Sequence, residues 1–375
     1  QSFSYPAFAP SPHAPRDIKP PMYRPFRWGE YHVTMGIRSM QWGEWIELDD
    51  QYDAYHRIRK DRIACKGREA VDVLPPSLRT HDGADAPVRL VHELAEYLSR
   101  RYPTTFCVTR HASSAAWGGA PPVQSVRIVP LQQEYGVDAL RIAALLVQDD
   151  LAVMVEGSDG GYYFQGGAIC VPGFWRMKDK LGMRLDEIHL SGRVPQYQEK
   201  LHTSLERFFR RLTVDKPVVR NNYFVQIAPP DARNAVDPDE LAWGETVLGS
   251  EDDYGGGKGA YGGSDGAAPD ARALVVSPQT LRLRTERQTL RRLPRSGAVV
   301  FTIRTYLVPL EALVREPGVA ARFASAVRSW PDGVQEYKGE RRYGEVLLRF
   351  LDEVAEKEKE AEASQGEVER KPYPF

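Results

Sequence analysis

Two stretches rich in strand-forming residues, Leu281–Leu290 and Ala298–Leu307, flank the short link Leu293-Pro294-Arg295-Ser296-Gly297, and this restricts the fold more than any other feature. A connection that short, built on proline and glycine, turns two neighbouring strands back on each other, so they pair antiparallel. Further strand signals lie at Val126–Val129, Leu151–Glu156, Tyr162–Val171 and Val218–Ile227. Helical patterns run from Asp49 or Asp50 to about Ile63, and over Val88–Arg101, Val137–Leu146, Phe174–Lys180 and Pro195–Leu212. Hairpin-joined strands with helices beside them indicate an α+β domain on an antiparallel sheet. A doubly wound nucleotide-binding fold would alternate strand and helix throughout.

Alternation along the first strand of the pair puts Arg282, Arg284, Glu286 and Gln288 on one face, and Leu281, Leu283, Thr285, Arg287 and Thr289 on the other. Such arginines suit either the carboxylates of a ligand or a cross-strand ion-pair ladder with Glu286. Nucleic-acid contact is disfavoured, because Glu286 interrupts the basic run and 50 Lys and Arg stand against 51 Asp and Glu, for a net charge of −1.

A second informative stretch is Asp186-Glu187-Ile188-His189-Leu190-Ser191-Gly192-Arg193-Val194-Pro195-Gln196-Tyr197. It leads into a helix whose Leu201, Leu205, Phe208, Phe209 and Leu212 bury one face. Gly192 and Pro195 break regular structure ahead of that helix, which places His189 on the entering loop. An imidazole there suits a metal or haem ligand, or a hydrogen-bonded core residue. His202, on the helix itself, is the second candidate ligand.

Other motifs carry less. His92-Glu93-Leu94-Ala95-Glu96 lacks the second histidine of a zinc-hydrolase helix, and His56 sits among charges. Gly257-x-Gly259-x-x-Gly262 matches a dinucleotide fingerprint in letters, but acidic residues precede it and more glycine follows, so the strand and helix it needs are absent. Cys65, Cys107 and Cys170 are too few and too far apart for an iron–sulfur cluster or a Cys-x-x-Cys clamp. The apolar runs fall well short of the ~20 residues of a membrane span. Starting at Gln1, the chain leaves room for an upstream targeting or anchoring segment, and its compartment stays open.

The organisation expected is a proline-rich extended arm over 1–27, one domain over 28–352 and a charged tail over 353–375. Within the domain, 244–275 is acidic and then glycine-rich, and reads as a mobile insertion. The segment Tyr343–Glu362 begins amphipathic and becomes Glu/Lys-rich, as a helix leaving the surface would.

Several segments resemble the haem-dependent oxidative N-demethylase alpha-subunit family. They are Ile188-His189 through Val194-Pro195-Gln196-Tyr197, the run Leu281 to Pro294, Tyr31 with Thr34-Met35-Gly36, Trp45-Ile46-Glu47, Tyr97-Leu98 with Arg101-Tyr102-Pro103, Leu146 to Leu151, and Arg207-Phe208-Phe209. The resemblance implies a PAS-like haem-binding fold and O2-dependent removal of a methyl group from a small secondary amine such as dimethylamine, giving methylamine and formaldehyde. It implies haem b with His189 as iron ligand and Arg193 and Arg284 as cofactor-binding residues, the arginines being suited to propionates. Glu286 and Arg287, with Tyr223 or Tyr163, would form the polar catalytic pocket. Since the chain shows no flavin, nicotinamide or iron–sulfur motif, electrons would come from an external flavin/iron–sulfur NAD(P)H reductase. The chain departs from the family's shape in the proline arm, the glycine-rich insertion and the link Ser191-Gly192-Arg193. A haem-PAS gas or redox sensor without turnover is the alternative, and a scaffold whose haem site has decayed is a third.

Overall fold

In the computed structural model of the chain, the described residues are 3–75, 77, 80, 85–110, 123–128, 133–134, 139–173, 175–228, 241 and 276–365. The segment 244–275 expected to be a mobile insertion lies outside them. In chain order the elements are β1 (Arg38–Ser39), α1 (Tyr52–Lys66), β2 (Val71–Val73), α2 (Ala86–Arg101), β3 (Phe106–Arg110), β4 (Val123–Ile128), β5 (Gln133–Glu134) and α3 (Ala139–Leu146). They continue with β6 (Asp150–Glu156), β7 (Tyr162–Ala168), α4 (Met177–Lys180), α5 (Leu185–Ser191), a π-turn (Tyr197–Leu201), α6 (His202–Arg211) and β8 (Val218–Ile227). The last are β9 (Leu281–Arg292), β10 (Val299–Pro309), α7 (Leu310–Leu313), α8 (Val319–Arg328), α9 (Asp332–Tyr337) and α10 (Gly344–Gln365).

Seven strands form an antiparallel sheet in the order β1-β8-β9-β10-β6-β7-β2, and β3-β4-β5 form a second, smaller one. The fold is therefore α+β, and the hairpin read from Leu293 to Gly297 is its centre: β9 and β10 pair from Val299↔Arg292 to Pro309↔Arg282. The strand expected at Val126–Val129 belongs to the smaller sheet rather than the main one.

One face of the large sheet is sealed twice. Leu151, Val153, Val155 and Val300 pack on α1, α2 and α3, whose spaced apolar residues supply Tyr55, Leu90, Leu94, Leu98 and Ala143. On the neighbouring strands β8 and β9, Tyr223, Val225 and Leu283 pack on α8 and α10 through Phe323, Leu347 and Leu351. The start of α10 is thus core, and its exposed remainder is the charged part.

Buried between these layers is a set of ion pairs, Arg59 with Asp150 at 2.7 Å, Arg304 with Asp49 at 2.8 Å and Arg287 with Glu47 at 3.2 Å, while on the opposite face of the sheet Arg284 pairs with Glu286 at 3.1 Å. A lone buried charge would be far costlier than these paired ones. The strand arginines thus take part in structural pairing, but not as a cross-strand ladder: Glu286 pairs with Arg284 two residues away on its own strand, and Arg287 and Arg304 pair with Glu47 and Asp49.

Residues 3–27 run over this body with one short 3₁₀ turn at Pro15–Asp17. Ser11 N–H donates to Arg101 O at 2.6 Å, Arg24 pairs with Glu316 at 2.6 Å, and Phe26 stacks on Phe323 with centroids 4.6 Å apart.

Candidate functional site

The other face of the sheet is left uncovered by those helices, and a cavity of about 300 Å³ opens on it. Its floor is the alternate residues of four strands: Arg220, Asn222 and Phe224 of β8, Glu286, Gln288 and Leu290 of β9, Phe301 and Ile303 of β10, and Ala152 and Met154 of β6. The roof comes from α5, the turn after it, α6, the 31–35 segment and the end of α9.

The loop expected around His189 is instead a helix. Arg184 caps α5, its N–H donating to Glu187 Oε2 at 2.8 Å, and Asp186 and Glu187 occupy the first turn where negative charge is favourable. Gly192 ends the helix after seven residues, too few for an apolar repeat to be visible in sequence. Arg193 and Gln196 then take φ of 46° and 55°, in the sparsely occupied left-handed region, and swing the chain round into the π-turn. Helical structure after the histidine thus starts at Tyr197, not Pro195.

His189 is on the cavity wall. Its Nδ1 lies 2.7 Å from Leu185 O, and because a carbonyl can only accept, Nδ1 carries the proton. The lone pair is then on Nε2. Burial pushes the imidazole pKa down to about 4, with the Leu185 bond opposing and Arg220 and Lys180 adding to the fall. Tyr197 stacks on the ring at 4.8 Å and 10°. The side chain is a neutral, oriented nitrogen donor.

Around it the wall is apolar, with Phe164, Trp175, Ile188, Leu205 and Phe209 among its residues. A few charged and polar groups interrupt this apolar lining. Glu286, 8% exposed, accepts from Arg284 Nε and from Gln288 Nε2, each at 3.1 Å. Arg220 Nε has no hydrogen-bond partner among the described residues, and burial lowers its pKa while Glu286 and the two tyrosines 31 and 337 oppose. Lys338 is 3% exposed, donates to Tyr223 O, and is pushed down to about 7 by burial. Among the described residues, three basic side chains, Lys180, Arg220 and Lys338, therefore line the cavity against one carboxylate that already holds Arg284.

Of the residues singled out from sequence, the structure brings His189 and Glu286 to one cavity, with Arg284 behind Glu286. Arg284 is fully buried, its guanidinium also donating to Val171 O at 2.9 Å. The pocket combining Glu286 with Arg287, Tyr223 or Tyr163 is corrected. Neighbours on a strand point to opposite faces, so Arg287 faces away and pairs with Glu47. Tyr223, opposite Thr285, sits in the α8/α10 core and accepts from Trp330 Nε1 at 3.2 Å. Tyr163 donates to Asp159 at 2.7 Å, and Arg193 is exposed outside the lining. Reasoning missed Arg220, which alternation along Val218–Ile227 places beside Asn222 and Phe224 on one face. Lys338 carries no sequence signal.

The donor set can be matched to a haem. A porphyrin needs an apolar slot, a neutral imidazole whose second nitrogen is anchored, and cations for two carboxylates. His189, the wall around it, Arg220 and Lys338 meet those needs. The residues 36–348 match the family described as haem-dependent oxidative N-demethylase, alpha subunit-like.

Proposed function

Because the chain belongs to the haem-dependent oxidative N-demethylase alpha-subunit-like family, we propose that it removes a methyl group from a small secondary amine of the dimethylamine class. The haem-binding unit is residues 28–352, a PAS-like arrangement in which the sheet face that lines the cavity holds haem b. The observation that carries the reading is His189, an anchored neutral imidazole on an apolar wall, facing a cavity whose polar lining has surplus positive charge.

Bound there, haem supplies the oxidising chemistry, using O2 and electrons from a separate flavin/iron–sulfur reductase fed by NAD(P)H. Overall, dimethylamine, O2, two electrons and two protons give methylamine, formaldehyde and water. His189 supplies Nε2 as iron ligand, and Leu185 O fixes the tautomer and the plane of the ring. Arg220 and Lys338 take the propionates, replacing Arg193 and Arg284 in that role. Glu286, held by Arg284 and Gln288, offsets the charge of the incoming ammonium and accepts its proton. The Phe, Leu and Ile side chains of the wall exclude water from the reacting carbon.

The test is an absorption spectrum of the purified chain reconstituted with haem, followed by a formaldehyde assay with dimethylamine, O2 and a chemical reductant. A Soret band and formaldehyde in proportion to amine consumed are expected. Absence of any Soret band disposes of the proposal, while a Soret band without formaldehyde from any short-chain secondary amine turns it into a haem sensor.

A further inference from the structure

Tyr197 has a second neighbour besides His189: it meets the ring of His202 edge-on, with centroids 5.8 Å apart. Next to it, one donor atom each from Asp186 on α5 and from His202 and Glu206 on α6 lies within 4.8 Å of the other two. His202 and Glu206 are four apart, so both project from one face of the helix, toward the end of α5 that carries Asp186. Three buried polar atoms in this cluster have no hydrogen-bond partner among the described residues: Tyr197 OH, Asp186 Oδ1 and Arg184 Nε. Tyr197 is only 2% exposed, and its hydroxyl feels the charges of Asp186 and Glu206. A buried phenol left without a partner beside two carboxylates calls for a guest, since burying an unpaired hydroxyl is costly.

We propose that Asp186, His202 and Glu206 bind a first-row divalent cation, with zinc the best match, and that Tyr197 OH engages the ion or its water. Imidazole nitrogen and carboxylate oxygen are both donors that zinc accepts, and the partly exposed cluster leaves room for water to complete the shell. Its role is a clamp: it ties α5 to α6 and holds Tyr197 flat against His189. This site is separate from the iron ligand and does not depend on the haem reading.

Arg184 is the built-in competitor. Its guanidinium reaches Asp186 Oδ2 at 3.2 Å and Glu206 Oε1 at 3.0 Å, while Arg210 reaches Glu206 Oε2 at 3.4 Å. A cation entering between the carboxylates must displace at least one of these bonds, which gives the proposal a distinctive signature.

The experiment is calorimetric titration of the chelator-treated full chain with zinc chloride, in wild type, His202→Ala, Asp186→Asn and Arg184→Gln. Expected is one equivalent bound by wild type, affinity lower by more than roughly tenfold in both ligand variants, and affinity raised in Arg184→Gln. Since His202 is 39% exposed at its side chain, H202A tests the site even if the Asp186 variant does not fold. Zinc binding that survives both ligand variants, or that is absent from wild type with or without Arg184, overturns the proposal. Uptake by Arg184→Gln alone also overturns it, because the native guanidinium would then own the carboxylates.

Discussion

The imidazole of His189 lies flat on the phenol ring of Tyr197, centroids 4.8 Å apart and planes 10° from parallel, while Leu185 O receives its Nδ1–H. Ring plane and tautomer are thereby set by two contacts from the chain's own residues, neither of them made by haem. A preset ligand loses less freedom on binding than one that must be ordered.

His189→Ala is expected to lose stoichiometric haem or shift its Soret band, while His202→Ala retains both. Tyr197→Leu should keep haem with weaker affinity, since an offset ring contact is worth roughly 0.5–1.5 kcal/mol, about two- to tenfold. Haem titration followed by absorbance decides this, and unchanged haem binding in His189→Ala would remove the ligand assignment.

Glu286→Gln leaves haem bound and should raise the amine KM by roughly ten- to a hundredfold, as a hydrogen bond to a charged group is worth about 1.5–3 kcal/mol. Steady-state kinetics on dimethylamine read it out. An unchanged KM would place the ammonium elsewhere.

Arg220→Met and Lys338→Met should each weaken haem binding by roughly tenfold or more, by the same charged-bond magnitude. Lys338 adds a pH signature. Its pKa is pushed down to about 7 in the free protein, and an anionic partner raises it, so binding takes up a proton above that value. Wild-type haem affinity should therefore fall between pH 7 and 9 more steeply than that of Lys338→Met, and parallel pH profiles would sink the assignment.

Asp149 is fully buried with neither carboxylate oxygen hydrogen-bonded among the described residues, and burial pushes its pKa up to about 7 against the pull of Arg304, Arg287 and Arg59. Between the unfolded value near 4 and that folded value the native state binds more protons, so this group costs stability as pH rises through the window. The melting temperature of Asp149→Asn relative to wild type should therefore increase from pH 5 to pH 8. A gap that stays flat over that range would mean the carboxylate ionises normally.

The antiparallel α+β sheet, its central hairpin and most of its flanking helices were legible in the residues, because alternation and helical spacing are local properties of the chain. The strand pattern Leu281–Leu290 placed Glu286 and Arg287 on opposite faces, and the structure kept them so. His189 and Glu286 could both be picked out, but nothing along the chain joined them, since nearly a hundred residues separate them and the shared cavity exists only after β9 packs beneath α5.

What the sequence determined by itself was periodic burial: which residues alternate, where chains turn, and which charges interrupt a face. Only tertiary structure decided that a seven-residue capped segment would be helical, that Tyr163, Tyr223 and Arg287 would be spent on other contacts, and that Lys338 would come to share a cavity with Arg220. Those outcomes depend on which surfaces meet across long sequence distances, where the energy of burying a charge or completing a hydrogen bond is set by neighbours that no local pattern names.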